Sequence, residues 1–321
     1  MFASDRAALS SSSAAVPRSS NEPPRAAEDP LLDAIGGTPL LPLERVVNGS
    51  RFQLFAKAEF LNPSGSVKDR AALAIVRRAL AEGRLTRGRV LLDASSGNTA
   101  VSYAMLGARL GFGVELCVPR NANPDRVEKM RAFGARIVFT DPAEGSDGAQ
   151  REARRLAAED PEQRFYPDQY NNPSNPDAHY RTTGPEIWEA LGGRLTHLVA
   201  GVGTGGTICG TGRFLKEKDP RIQVVGVEPT GPIHGIEGLK HLPTALRPST
   251  YDERVVDATV RVETEEASEM RARLAELEGL SVGMSSGAAV AAAIRVGASH
   301  PGGVIVTVLP DGGRPVSEVP R

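Results

Sequence analysis

One lysine and one glycine-rich turn carry the clearest chemical signals in this sequence. Lys68 follows the turn-forming stretch 62–66 and stands at the mouth of an alanine- and leucine-rich helix pattern. Residues 201–207 read Gly-Val-Gly-Thr-Gly-Gly-Thr and follow an apolar run. Backbone N–H groups of such a turn, at the start of a helix, can close around a phosphate. A fixed amine and a separate phosphate cradle are what a protein needs to hold pyridoxal 5'-phosphate at both ends.

Neither signal decides the chemistry when taken alone. The 201–207 turn also fits the pattern G-x-G-x-x-G, with Glu228 about 20 residues further on, which is typical of a dinucleotide site. It could also be a plain tight turn. Lys68 could be a solvated lysine, although a positive charge at a helix start opposes the helix dipole. A nucleotide and a monoester phosphate therefore both stay open as ligands.

Two further turns could bind polar groups of a ligand. Residues 95–99 read Ser-Ser-Gly-Asn-Thr between a predicted strand and a predicted helix. Their hydroxyl, amide and N–H groups could form a pocket for a carboxylate, or simply cap the helix. Ser285, in the turn 283–287, could donate a hydrogen bond to a ring nitrogen or cap the helix predicted from Ala288. All of these turns fall at predicted strand-to-helix junctions, where α/β folds bind ligands.

The composition is that of an ordinary globular protein and argues against several classes of partner. With 321 residues, of which 40% are hydrophobic and 24% charged, the chain is long enough for about two domains. A net charge of −1 and only 5% aromatic residues argue against nucleic acid as a partner. No apolar run approaches the roughly 20 residues of a membrane span.

The cysteines and the N-terminal residues give expectations about the compartment. Cys117 and Cys209 show no metal-type or redox spacing, which predicts structural thiols, no metal site and a reducing, cytoplasmic location. Residues 1–30 are rich in Ser, Ala, Pro and Arg and predict a disordered tail. They lack the apolar core of a secretory signal, and an organelle transit peptide at the very start stays an alternative.

From Leu31 onward, short apolar runs alternate with amphipathic helical patterns. Strands are predicted at 51–58, 90–92, 114–118, 136–140, 195–200, 222–227 and 303–309. Helices are predicted at 69–81, 99–110, 126–133, 150–158, 186–191, 208–216, 265–277 and 288–297. The alternation predicts an α/β protein whose parallel sheets are covered by helices on both faces, in two domains with a cleft between them. The proline- and glycine-rich segment 229–251 breaks the pattern and is expected to be functional or mobile.

Taken as a set, the motifs resemble those of the cysteine synthase and cystathionine β-synthase family, pyridoxal-phosphate enzymes of fold type II. The similarity covers roughly residues 31–309, with its motifs in the expected order at 62–70, 95–99, 183–188, 203–207 and 285–287. Residues 171–173 and 242–245 look most like the cysteine synthase B branch.

The resemblance implies an α/β fold of two doubly wound parallel-sheet domains, like that of the tryptophan synthase β chain. Pyridoxal 5'-phosphate would lie in the cleft between them. Residues 62–172 would form a smaller, mobile substrate-binding domain. Residues 31–61 and 173–321 would form a larger domain that binds the phosphate.

The resemblance also implies a role for each matching residue. Lys68 would form the internal aldimine and move the substrate α-proton, Asn98 would hydrogen-bond the ring hydroxyl, and Ser285 would face the pyridine nitrogen. The phosphate would be held by Gly203, Thr204, Gly205, Gly206 and Thr207. The amino-acid carboxylate would be bound by Ser95, Ser96, Gly97, Thr99 and Gln169.

The activity implied is that of a cysteine synthase, or O-acetylserine sulfhydrylase. O-acetyl-L-serine would lose acetate to give an α-aminoacrylate, and sulfide would add at the β-carbon to give L-cysteine. A neutral serine beside the pyridine nitrogen makes the ring a weaker electron sink, which suits elimination of a good leaving group. The family also suggests a homodimer, and a serine acetyltransferase whose C-terminal peptide could occupy the carboxylate pocket.

Other functions stay open at this level. By analogy with the family, Lys240 and His241 would face the substrate entrance. A cation there could pair with O-phospho-L-serine as the donor or with thiosulfate as the sulfur source, although the two residues could be a solvated basic pair on a loop. A cystathionine β-synthase-like reaction is disfavoured because no regulatory domain or haem-binding extension is recognised. A NAD-type oxidoreductase would leave Lys68 unexplained. The intact Lys68 and Asn98 argue against a non-catalytic binding protein.

The chain departs from the family pattern at three places. Ser95 stands where the family has Thr, which keeps the hydroxyl, and Ala100 stands where it has Gly. Residues 310–315 lack the usual Arg-Tyr sequence. We expect this last difference to affect the packing of the C-terminal segment rather than the chemistry.

Overall fold

The computed structural model describes residues 29–86 and 88–313. The predicted N-terminal tail lies outside this part except for its last two positions. Residues 314 and 315, where the chain departs from the family pattern, also lie outside it.

The described strands are β1 Leu40–Pro42, β2 Gln53–Ala58, β3 Val90–Ala94, β4 Gly113–Pro119, β5 Arg136–Thr140, β6 Arg164–Phe165, β7 His197–Gly201, β8 Gln223–Pro229, β9 Ala258–Val262 and β10 Val304–Leu309. The described helices are α1 Pro30–Asp33, α2 Lys68–Ala81, α3 Asn98–Leu110, α4 Pro124–Ala132, α5 Gly145–Glu159, α6 Ser174–Arg181, α7 Thr183–Ala190, α8 Gly206–Lys218, α9 Thr264–Glu278 and α10 Met284–Ala298.

The strands form two sheets. Six of them lie in the order β1-β2-β10-β7-β8-β9, and four lie in the order β5-β4-β3-β6. All pairings are parallel except that of β1 with β2, in which Leu40 faces Lys57. The predicted parallel sheets are therefore present, and β1, a strand not predicted from the sequence, adds one antiparallel pair at the edge.

Helices cover both faces of each sheet, as the α/β prediction requires. Apolar residues of α2, α3 and α4 pack on one face of the four-stranded sheet, and those of α5 pack on the other. In the six-stranded sheet, α9 and α10 cover one face while α7 and α8 cover the other. The doubly wound fold is confirmed. The domain boundaries near residues 62 and 172, and the mobility of the smaller unit, remain predictions.

Every strand and helix predicted from the sequence is present, and the ends differ most at α5, which begins at Gly145 rather than Gln150. The turn 283–287 differs from expectation: it follows helix α9 and an isolated bridge at Val282 instead of a strand of the sheet. The segment between β8 and β9 is irregular, as predicted. None of the described helices combines the length and the apolar character needed to cross a bilayer.

Both cysteines are free and buried. Burial raises the pKa of the Cys117 thiol to about 12 and that of Cys209 to about 11. Neither residue lines the candidate site described below, which agrees with the expectation of structural thiols.

A buried ionic cluster fixes the start of α2. Arg70 is only 3% exposed and donates to both carboxylate oxygens of Glu59, each at 2.7 Å. It also donates to both oxygens of Glu186, at 2.7 and 2.8 Å. Lys57 adds a 2.6 Å ion pair with Glu186. Because Glu59 follows β2 and Glu186 lies on α7, the cluster ties α2 to the body of the six-stranded sheet.

The cluster keeps its two carboxylates ionised. Burial by itself would raise the pKa of Glu59, but the hydrogen bonds and charge of Arg70 hold that pKa below its ordinary value. The same balance lowers the pKa of Glu186 to about 2. A depressed folded-state pKa contributes stability above the unfolded pKa, and this stability is lost as the pH falls through the folded pKa.

Arg70→Ala is expected to lower the free energy of unfolding by about 3–5 kcal/mol, because it leaves a buried carboxylate without its partner. Denaturant unfolding at neutral pH measures this loss. Between roughly pH 5 and pH 2 the variant should lose less stability than the wild type, since its carboxylates are no longer held ionised.

The matched control is Arg78→Ala on the same helix. Arg78 is exposed and pairs with Glu82 one turn away, and such surface pairs contribute about 0–1 kcal/mol. Equal losses for the two variants would contradict a special role for the buried cluster.

Candidate active site

A cavity of about 330 Å³ lies at the carboxyl ends of strands from both sheets. Its wall includes Ala94 of β3, Pro119 of β4, Gly201 of β7 and Val308 of β10. Parallel α/β sheets bind ligands at this end of their strands. Thirteen of the residues proposed from the sequence line the cavity: Lys68, Ser95, Ser96, Gly97, Asn98, Thr99, Gln169, Gly203, Thr204, Gly205, Thr207, Lys240 and Ser285.

Lys68 is the first residue of α2, and the chain just before it is held to the end of β10. The Val67 N–H donates to the Pro310 carbonyl at 2.7 Å, and Ser66 forms a bridge with Asp311. Burial lowers the pKa of the Lys68 amine, while the negative charge of Asp311 opposes this shift. The amine therefore loses its proton more readily than that of a solvated lysine, which suits a nucleophile or a general base.

A polar wall forms beside Lys68 from elements that are distant in the sequence. Asn98, at the start of α3, donates from Nδ2 to Asp311 Oδ2 at 2.7 Å. Arg126 of α4 pairs with Glu237 at 2.8 Å and lies 3.9 Å from the same Asp311 oxygen. The described part of the C-terminal segment therefore contributes to the cavity itself through Asp311.

The 201–207 turn presents unpaired donors to the cavity. Within residues 29–86 and 88–313, the backbone N–H groups of Gly203, Thr204, Gly205 and Thr207 have no hydrogen-bond partner. Gly205 adopts a left-handed conformation with φ of 84°, which glycine accepts without strain. A Cβ at Gly203 would lie 2.2 Å from the Gly238 carbonyl oxygen. The turn therefore requires glycine there and provides a cradle for an anion.

Gly206, which was expected to hold a phosphate with its neighbours, does not line the cavity. A Cβ at this position would lie 1.9 Å from the side-chain oxygen of Asn175. Its N–H lies 3.4 Å from Thr204 Oγ1. Close packing of α6 against the start of α8 accounts for the glycine.

Helix α6 supports the two threonines of the turn. Asn175 donates from Nδ2 to Thr204 Oγ1 at 2.9 Å. His179 lies with Nε2 3.2 Å from Thr207 Oγ1 and with Nδ1 2.9 Å from Thr183 Oγ1. Burial, with a smaller contribution from nearby Arg70, lowers the pKa of His179 to about 3, so the ring is neutral in this chain of hydrogen bonds. Sequence reasoning missed α6 because its polar residues show no helical period.

The 95–99 turn faces the same cavity from the four-stranded sheet. Thr99 Oγ1 donates to Gln169 Oε1 at 2.7 Å, which joins two of the residues expected to bind a carboxylate. The Gly97 N–H is 3.3 Å from Ser95 Oγ. Ser285, 4% exposed, lies in the first turn of α10 and lines the cavity.

Lys240 comes from the irregular segment 229–251 and lies at the cavity wall. Its Nζ is 4.8 Å from the centre of the Tyr170 ring, which is a cation–π distance. The backbone N–H of Lys240 donates to the Val202 carbonyl at 2.9 Å. Tyr170 also lines the cavity and was not foreseen. Glu228, the residue that supported a dinucleotide site, is buried and does not line the cavity.

Comparison with known proteins gives one consistent result. Residues 31–311 match the family described as pyridoxal-phosphate dependent enzyme. A cysteine synthase of Aquifex aeolicus is 47% identical over 300 residues, which cover 91% of this chain and 92% of the relative. Cysteine synthase B of Escherichia coli is 39% identical over 283 residues, 88% of this chain and 92% of the relative. The chain belongs to the cysteine synthase family of pyridoxal-phosphate dependent enzymes.

The fold of this family member is also that of a solved relative. The crystal structure of a cysteine synthase (OASS) from Entamoeba histolytica superposes with a TM-score of 0.85 at 33% identity, covering 93% of this chain and 91% of that one. The fold type II architecture expected from the motifs is confirmed.

The cavity residues fit pyridoxal 5'-phosphate, the coenzyme of the family. A buried amine, Lys68, and the four unpaired N–H groups of the 203–207 turn line one cavity. These two features match the aldehyde and the phosphate of the coenzyme. The amide of Asn98 and the hydroxyl of Ser285 line the same cavity, and both side chains can form hydrogen bonds.

Gly203→Ala is expected to weaken the binding of pyridoxal 5'-phosphate at least tenfold, because the new Cβ would displace the Gly238 carbonyl or the turn itself. The same overpacking should lower the free energy of unfolding by about 1–3 kcal/mol. Absorbance titration of the coenzyme and denaturant unfolding measure the two effects.

Gly97→Ala serves as the control for stability, since a Cβ at Gly97 has no heavy atom within 4 Å. This variant should keep the unfolding free energy of the wild type to within about 1 kcal/mol. If Gly203→Ala bound the coenzyme as tightly as the wild type, the cradle assigned to this turn would be wrong.

Proposed function

We propose that this chain is a cysteine synthase, which replaces the acetate of O-acetyl-L-serine with sulfide to give L-cysteine. The observation that carries the proposal is the placement of the Lys68 amine and the unpaired N–H groups of the 203–207 turn on one cavity. The relatives named cysteine synthase support the choice of reaction within the family.

We assign the coenzyme contacts as follows. Lys68 Nζ would hold the aldehyde carbon, Asn98 would bond the ring hydroxyl, and Ser285 would face the ring nitrogen. The phosphate would lie against the 203–207 turn, where Thr204 and Thr207 add hydroxyl groups held by α6. When bound, pyridoxal 5'-phosphate supplies a conjugated ring that stabilises negative charge at the substrate Cα.

Lys68 would move the proton in both halves of the reaction. Once its amine is released by the incoming amino group of the substrate, Nζ takes the Cα proton as acetate leaves from Cβ. It returns a proton to Cα after sulfide has bonded to Cβ. Burial favours the neutral amine needed for the first step, and a pKa nearer to the working pH makes a lysine a more effective acid and base.

The 95–99 turn would bind the carboxylate of the substrate, together with Gln169. The hydrogen bond between Thr99 and Gln169 already holds these two groups at one place on the cavity wall. The 95–99 turn belongs to the four-stranded sheet, and the turn that would hold the coenzyme phosphate belongs to the six-stranded sheet. A substrate held by the 95–99 turn and joined to the coenzyme would therefore draw the two units together. We propose that this closure excludes water from the reacting carbons.

Lys68→Ala is expected to replace the visible absorbance band of the lysine-bound coenzyme with that of the free aldehyde, and to lower kcat by at least about 10²- to 10⁴-fold, the range contributed by a general acid or base. Absorbance spectra and cysteine formation from O-acetyl-L-serine and sulfide measure the two effects. Lys218→Ala, which removes an exposed lysine at the end of α8, should change neither. A wild-type protein that stays colourless after incubation with pyridoxal 5'-phosphate would sink the proposal.

A second donor, O-phospho-L-serine, is favoured by one observation. The Lys240 amine lies at the cavity wall over Tyr170 and forms no ion pair within the described chain. Burial lowers its pKa, and the charge of Asp147 opposes the shift. A cation at this place could pair with the phosphate of O-phospho-L-serine or with thiosulfate.

Lys240→Ala is expected to raise KM for O-phospho-L-serine about tenfold relative to KM for O-acetyl-L-serine, because it removes a charge-assisted hydrogen bond. Steady-state kinetics with both donors measures the ratio. His241→Ala is the neighbouring control and should leave the ratio unchanged. An unaltered preference in Lys240→Ala would remove this second donor from consideration.

The assembly and location of the enzyme are further proposals. We propose a homodimer that works in the cytoplasm and binds the C-terminal peptide of a serine acetyltransferase at the carboxylate turn. The two free, buried thiols support a reducing compartment. The carboxylate-binding groups at 95–99 support capture of a peptide C-terminus. Light scattering measures whether the protein is a dimer. Competition between such a peptide and O-acetyl-L-serine measures whether the peptide binds at the carboxylate turn.

A further inference from the structure

Asp311 is a carboxylate that the proposed reaction does not yet use. It follows β10 and lines the cavity between Lys68 and Asn98, on the wall that also includes Arg126. Its Oδ2 accepts the 2.7 Å hydrogen bond from Asn98. Its Oδ1 is buried and has no partner within the described residues. A buried polar atom without a partner calls for an explanation.

Structural support of the chain end does not explain this side chain. The backbone already provides that support: the Asp311 carbonyl accepts from the Gly283 N–H at 3.1 Å, and the Pro310 carbonyl accepts from the Val67 N–H at 2.7 Å. The site also excludes any side chain at Gly283, where a Cβ would lie 2.1 Å from Asp311 Oδ1. The carboxylate thus occupies a space kept open for it.

Three charged groups determine the electrostatics around Asp311. Lys68 from α2, Arg126 from α4 and Glu237 from the irregular segment face Asp311. Burial raises the pKa of Asp311, and the Asn98 hydrogen bond and the two cations oppose that shift. On the Lys68 side, Asp311 is the one acid among the described residues that counteracts the desolvation of the amine, while buried His179 is neutral.

We propose that Asp311 is a positioning residue that orients the Asn98 amide toward the coenzyme ring and supplies the countercharge for the Lys68 nitrogen. The inference rests on the proposed function and deepens it. An amide NH₂ group has two donors. With one N–H committed to Asp311 and the amide fixed in a single orientation, the other N–H is left for the ring hydroxyl.

The charge effect has a definite sign. An ionised carboxylate favours the protonated form of a nearby nitrogen. Asp311→Asn removes the charge but keeps the shape and an oxygen that can accept from Asn98. In the holoenzyme, the pH at which the visible absorbance of the Lys68-bound coenzyme changes should therefore move to lower pH than in the wild type. A merely structural role would lower the stability without moving this midpoint.

Binding of the coenzyme tests the link to Asn98. Asp311→Ala and Asn98→Ala should each weaken binding of pyridoxal 5'-phosphate about tenfold, because each would remove or disorder one hydrogen bond to the coenzyme. If Asp311 acts through Asn98, the double variant should bind no more weakly than Asn98→Ala alone. Equilibrium dialysis of the full-length proteins measures all three affinities.

Asp125→Asn is the matched control, because it removes one exposed acid from α4 beside Arg126 without touching the cavity. It should leave both the absorbance midpoint and the coenzyme affinity unchanged. A midpoint in Asp311→Asn equal to that of the wild type, together with additive losses in the double variant, would overturn the inference. A wild-type protein that fails to bind the coenzyme or to form cysteine would instead sink the proposed function, so the two failures are distinguishable.

Discussion

The site depends on helix α2, which is fixed both to the six-stranded sheet and to the four-stranded sheet. Helix α2 presents Lys68 at its first residue, and two residues later Arg70 is bound to Glu59 and Glu186 of the six-stranded unit. The apolar face of the same helix packs in the core of the four-stranded unit. A rotation of α2 would therefore break a buried ionic cluster and expose apolar surface at once. Buried charges that lose a partner cost several kcal/mol, which makes the position of the amine rigid.

The rest of the cavity is built on the opposite plan, from turns that have no regular structure of their own. Glycine-rich backbone at 203–207 supplies unpaired N–H groups, and α6 and the Gly238 segment close around that backbone from outside. The helix that carries the amine is thus held by the ion pairs of Arg70, whereas the anion cradle depends on glycines that leave room for the neighbouring backbone. The ion-paired helix and the glycine-rich turn both give a preorganised site, because the groups that would contact the coenzyme are fixed before it binds.

Local motifs could be predicted from the sequence, and long-range contacts could not. Lys68 and the turns at 95–99 and 203–207 lie next to strong strand or helix patterns, so their place at one end of a sheet follows from the alternation alone. Asp311 and Arg126 are separated by more than half of the chain, and only the folded structure shows that they share a wall. The same limit explains the failure to predict α6, whose buried residues are largely polar and are stabilised by packing on α8.

The two deeply buried cysteines have a chemical consequence for an enzyme of this kind. Thiolates attack the oxidised forms of sulfide and cysteine, such as polysulfides and disulfides, and only an ionised, accessible sulfur reacts at an appreciable rate. With pKa values of about 12 and about 11, Cys117 and Cys209 are almost wholly protonated at neutral pH, and neither borders the reaction chamber. The protein therefore carries no reactive thiol that a polysulfide or a disulfide, formed when its sulfur substrate or its product is oxidised, could convert to a persulfide or a mixed disulfide.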